Sequence, residues 1–118
     1  MSKVGRFVTD PTVGVYCHVT LSDGDKILVS HDTRSLASGH LAVERSKWLG
    51  LGSDRIFSLD LSSAEGRAAL RHLTADAEPG STPATPLGAL VEYIKDCRNA
   101  DELSRRLDAL IAAARAAA

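Results

Sequence analysis

Aromatic residues are scarce in this chain: one Trp, two Tyr and two Phe among 118 positions. Its core must therefore be assembled from Leu, Val, Ile and Ala. Cysteine is scarcer still. Cys17 and Cys97 stand 80 positions apart, which supplies neither a disulfide framework nor a zinc pattern and predicts two reduced thiols in the cytoplasm. An excess of charge is also missing, since the formal net charge is −1. Residues 1–50 hold six basic and five acidic groups, and residues 51–118 hold eight and ten. Neither half is a polybasic arm or an acidic tail, which argues against binding driven mainly by phosphate neutralisation. No run reaches the roughly 18 apolar residues of a spanning helix, and the first 14 residues carry no apolar stretch of a signal peptide. No cofactor or metal is expected, because no motif for either is present.

What the chain does contain changes character near residue 62. Before that point the apolar residues alternate with polar ones, and after it they recur at helical spacing. Phe7-Val8 opens a first short strand that Asp10-Pro11 stops. From Val13 to Leu21, Val13, Val15, Cys17, Val19 and Leu21 share one face of a strand, and Gly14, Tyr16, His18 and Thr20 the other. Ser22-Asp23-Gly24 then turns the chain into Lys26–His31. A two-residue loop would face Val19 with Leu28. A three-residue loop, with Gly24 left-handed in a bulge, pairs Val19 with Ile27, Cys17 with Val29, Val15 with His31 and His18 with Leu28. The second register gathers the β-branched side chains on one face and is preferred.

Residues 33–39 read as a loop, 40–48 as a strand, 50–54 as a turn and 55–61 as a strand. Ser62-Ser-Ala-Glu65 is a capping-box sequence for a helix that ends near Thr74. Residues 75–86, ADAEPGSTPATP, hold three of the four prolines and read as a linker. Beyond it, Leu90, Val91, Ile94 and Cys97 form one stripe, and Leu103, Leu107, Leu110, Ile111 and Ala114 another. On one continuous helix the two stripes would point in nearly opposite directions, so a break is expected, with Asn99 capping a second helix. The predicted architecture is α+β: a small antiparallel sheet or partial β-barrel, a packed helix and a C-terminal helical hairpin. Its organisation is a β-rich unit at 1–74, a linker at 75–86 and a helical pair at 87–118.

Six reactive groups, Cys17, His18, Asp23, Asp25, His31 and Asp32, crowd the segment Tyr16–Asp32, but the register thins them out. Cys17 and His31 become diagonal neighbours on one face, a geometry open to a Cys–His nucleophile pair or to plain core packing. His18 points away from them, and a metal site of His18, His40 and His72 would need three distant segments to converge. Asp32 and His40 are a further candidate pair for a cleft beside the hairpin. Asp23 and Asp25 begin like a calcium loop but lack its closing Glu, and turn chemistry accounts for them. Gly50-Leu-Gly52 is a fragment of a phosphate loop without its lysine. Arg34, Arg45, Lys47 and Trp48 make a modest basic patch, readable as a nucleic-acid face of a small β-barrel or as a charged strand edge. The two C-terminal stripes must pack on something: the sheet, a second copy, or a partner. The function expected from the sequence is a non-enzymatic cytoplasmic binding or regulatory module. It engages a protein partner, or itself as a homodimer, through Leu90, Ile94, Leu103, Leu107, Leu110 and Ile111. The alternatives are a small enzyme using Cys17 and His31 and a nucleic-acid binder.

Overall fold

The hairpin at the centre of the sheet adopts the three-residue loop. In the computed structural model, strands β3 (Gly14–Thr20) and β4 (Lys26–Asp32) pair Val19 with Ile27, Cys17 with Val29, Val15 with His31 and His18 with Leu28. Gly24 takes φ of 94°, donating its N–H to the Leu21 carbonyl, while the Leu21 N–H reaches the Asp25 carbonyl. That is a type I turn closed by a left-handed bulge residue, which glycine adopts without the Cβ clash. The structure describes residues 3–12, 14–32, 39–46, 52–75, 77–81 and 85–117. Residues 33–38 of the expected loop at 33–39 and residues 50 and 51 of the expected turn at 50–54 lie outside them, and Ser53 and Asp54 already belong to a strand.

Two short strands flank β3 on its outer side. β1 (Lys3–Val4) pairs Val4 with Val19, and β2 (Val8–Asp10) pairs Val8 with Tyr16. The pairing shifts by one residue between them, so together they form one edge strand with a bulge near Gly5. Only β2 is foreshadowed by the sequence, since β1 is two residues long. On the other side of the hairpin, β5 (His40–Ser46) pairs with β4 and β6 (Ser53–Asp60) with β5, all antiparallel. The result is an open six-stranded sheet rather than a barrel.

Helix α1 (Ala64–Thr74) follows directly from β6. Its cap is Ser63, not the expected Ser62: the Ser63 hydroxyl accepts from the Gly66 N–H at 2.9 Å. Ser62 is engaged in the preceding turn, where its N–H and hydroxyl both donate to one carboxylate oxygen of Asp60. Glu65 consequently falls one position too early for a capping box and pairs with Arg115 at 3.4 Å. Helix α2 (Pro86–Ile94) is capped by Thr85 and begins with proline at its first turn, where no N–H is needed. It ends four residues before the expected 98, because the Cys97 N–H folds back to the Ile94 carbonyl and Cys97 itself is buried. Helix α3 (Ala100–Ala117) starts as anticipated, with the Asn99 side chain accepting from the Glu102 N–H at 2.9 Å. Tyr93 and Arg106 bind α2 and α3 reciprocally, each side chain donating to the other residue's carbonyl.

A single hydrophobic cluster joins the layers. Cys17, Val19, Val29, Leu41, Val43 and Leu59 supply the sheet side, and Ala69, Leu90, Ile94, Leu103, Leu107 and Leu110 the helix side. In β6 a bulge between the partners of Val43 and Glu44 places Ile56 out of alternation. Ile56 therefore packs toward the core together with Phe57, where strict alternation would put it on the opposite face. The other face of the sheet is polar: Tyr16, His18, Ser30, Asp32, His40, Glu44, Arg55 and Ser58 alternate with the core residues. The fold is α+β, and no helix among the described residues is long and apolar enough to cross a membrane.

Candidate functional site

Cys17 and His31 fall on one face one diagonal step apart, as the register requires. Their environments then separate them. The Cys17 thiol is fully buried and donates to the Gly5 carbonyl at 3.4 Å, with the His18 carbonyl at 3.6 Å. Burial pushes its pKa up, only partly opposed by the Gly5 carbonyl contact. Nucleophilic cysteines need the reverse, a lowered pKa beside positive charge. His31 is half-buried and its pKa is pulled down by desolvation against the opposing pull of Asp32, so it offers Cys17 no imidazolium. Cys97 is buried with a raised pKa as well, again chiefly through desolvation. Both thiols are expected to resist iodoacetamide at neutral pH in the native chain and to react within minutes in denaturant. Mass spectrometry of the alkylated protein reads this directly, and rapid native labelling of Cys17 would return it to candidacy as a nucleophile.

Of the expected basic patch only Arg45 is among the described residues. Arg34, Lys47 and Trp48 lie outside them. Arg45 is exposed but bridges Asp25 at 3.1 Å and stands opposite Asp54 on β6. Asp25 is thereby tied to β5, while Asp23 closes the turn by accepting from the Asp25 N–H. Gly52 has φ of 107° at the start of β6 and serves the turn; Gly50 and Leu51 lie outside the described residues.

The apolar stripes of α2 and α3 go to the chain's own core. Leu90, Ile94, Leu103, Leu107 and Leu110 are all buried there, and Ile111 is partly buried against them. The sequence assigned these six side chains to a partner. The correction follows from geometry: with α1 they roof one face of the sheet, which otherwise would expose Cys17, Val29 and Leu41 to water.

Three features of the surface escaped the sequence reading or were only half seen. On the polar face, Asp32, His40 and Asp60 stand in a row across β4, β5 and β6. Asp32 and His40 share a shallow hollow of 240 Å³ with Ser30, Glu44, Arg55 and Ser58. The Asp60 carboxyl is held below its usual range by hydrogen bonds from Ser62 and by the charge of His40. Among the described residues no three His, Cys, Asp or Glu side chains come together as a metal site, and His72 lies on α1, across the sheet from His18 and His40. The second feature is a hollow of 360 Å³ lined by His31, Phe7, Val15 and Leu87, at the start of α2. The third is the edge strand. Val4, Phe7 and Val8 are 43, 38 and 39% exposed, and they are the exposed large hydrophobic residues among those described. Alternation could have flagged Val4 and Val8, but the bulge at Gly5 breaks the period there. Comparison with known proteins finds no matching family model, no matching curated protein and no matching solved structure.

Proposed function

We propose that this chain is a non-enzymatic binding module that recognises protein by strand addition at the edge formed by β1 and β2, a second copy of the chain being the partner. One observation carries the reading: the exposed large hydrophobic residues of the described chain are gathered on that edge. An edge strand presents unpaired backbone donors and acceptors on its outer side, and proteins use such edges for strand addition. The opposite edge, β6, presents no exposed large hydrophobic residue among those described. Antiparallel pairing of two copies about a twofold axis would also set Lys3 of one against Asp10 of the other, at both ends of the contact. The expected surface thus moves from the C-terminal helices, whose stripes are occupied, to the N-terminal edge, while self-association is kept. The cytoplasm, where Cys17 and Cys97 stay reduced, is the compartment that fits this reading.

Light scattering across a concentration series tests it. The native chain should show a dimer mass at tens of micromolar, and Val4→Lys with Val8→Lys should weaken association by about tenfold or more, as edge charges oppose pairing. Both positions are exposed, so stability should change by only about 0.5 kcal/mol each. A native chain that stays monomeric at hundreds of micromolar would overturn the reading.

A further inference from the structure

The hollow beside His31 differs from the rest of the surface in having apolar walls and one ionisable group. Phe7 closes it from the edge strand, Val15 from β3 and Leu87 from α2. Ser81 and Thr85 stand on the rim, and no Asp, Glu, Lys or Arg is among the described residues that line it. Its 360 Å³ lies within the roughly 300–1,000 Å³ of small-molecule sites, which are mostly apolar with a few placed polar groups.

Two of the rim's hydroxyls are already engaged within the chain. The Ser81 hydroxyl donates to the Glu78 carbonyl, and the Thr85 hydroxyl accepts from the Gly88 N–H at 3.1 Å. Among the described residues no hydrogen-bond partner is found for the His31 ring, which is half-buried. A neutral imidazole offers one donor and one acceptor, and its nitrogens are within reach of water or a ligand, since no side-chain N or O among the described residues is both buried and without a partner. The ring is also held in place. A Cβ on Gly39 would lie 2.7 Å from its Nε2, so the absence of a side chain at position 39 gives the ring its seat. The closest charge acting on His31 is Asp32, which would repel an anion, and no carboxylate lines the walls to hold a cation.

We propose that this hollow binds a small, uncharged, mainly apolar molecule that carries one hydrogen-bonding group, with His31 as the group that recognises it. A phenol has that chemistry, and toluene is its apolar counterpart. Phe7 borders both this hollow and the proposed dimer edge, but Val4 and Val8, the positions substituted to test the dimer, do not line the hollow.

Titration of the full-length chain with p-cresol and with toluene, followed by NMR at the Val15 and Leu87 methyls, decides the matter. Both probes should shift these methyls saturably, and p-cresol should bind about 3–10-fold more tightly, the worth of one net hydrogen bond. His31→Leu should erase that margin while leaving toluene binding in place. His31→Gln, which keeps a donor and an acceptor, should retain part of it. Equal affinity of the two probes in the native chain, no saturable shift with either, or a margin that survives His31→Leu would overturn the proposal.

Discussion

Gly66→Ala should destabilise this protein by about 2–3 kcal/mol or more, although the same change in an ordinary helix stabilises it by up to about 1 kcal/mol. The sign inverts because of where α1 begins. A Cβ at position 66 would stand 1.8 Å from the Asp60 carbonyl oxygen and 2.7 Å from its carbon, with the Leu61 Cα at 3.0 Å. All three are backbone atoms, so no side chain can swing aside. The Asp60 carbonyl is fixed as well, because the Ser63 N–H and hydroxyl both donate to it. Relief of the clash requires the first turn of α1 to lift off the end of β6. That strains the cap between Ser63 and Gly66 and the packing of Ala68 and Ala69, both buried. Thermal unfolding should show a fall of roughly 10 °C, given about 4–8 °C per kcal/mol for small domains. An unchanged or raised midpoint would mean that α1 is not seated on β6 in this way.

The same junction shows how far the sequence could be read. A helix beginning after Leu61 was legible, because Ser-Ser-Ala-Glu carries the chemistry of a cap. Which serine caps was not, because the choice depends on Asp60 recruiting Ser62 into the turn. The register of the β3–β4 hairpin was legible to the residue, since a one-residue slip would have put Ile27 beside His18 and split the β-branched face. By contrast, strict alternation along 55–61 would put Ile56 with Ser58 and Asp60 on the outer face, and a bulge carries it inward. A bulge leaves no local mark in a strand as short as β6. Two-residue strands such as β1 likewise fall below the length at which a period can be seen.

For the candidate sites the limits are of another kind. The sequence placed Cys17 beside His31, and the fold agrees, but proximity says nothing of dielectric. Burial under α2 and the Gly5 carbonyl make Cys17 a core thiol. Arg45 had the look of a basic patch until a residue 20 positions away neutralised it. The hollow at His31 draws on Phe7 just before β2, on β3 and β4, and on α2 with the residues that lead into it, segments that no spacing rule connects. Apolar stripes in α2 and α3 were recognised correctly as surfaces in need of cover. A stripe records how much area must be buried and along which face, not whose surface meets it.

Removal of residues 87–118 should therefore abolish the folded state, not merely change the assembly. Those residues contribute Leu87, Leu90, Val91, Ile94, Leu103, Leu107 and Leu110 to the common core. At about 1.5–3 kcal/mol for each buried aliphatic side chain, their loss equals or exceeds the whole stability of an ordinary domain, about 5–15 kcal/mol. The loss is felt twice, because Cys17, Val29 and Leu41 on the sheet would then face water. Residues 1–86 are expected to give no cooperative denaturant transition and to bind a hydrophobic dye, where the full chain does neither in native buffer and unfolds in one step. A sharp transition with retained strand signal in the truncated chain would show that the sheet stands alone and that the helices are an appendage. The expected outcome also governs how assembly can be probed. A change of mass after truncation would report exposed core surface and aggregation, which imitates a change of partner. Substitutions at Val4 and Val8 leave that core intact, so they can separate the loss of an interface from the loss of a fold.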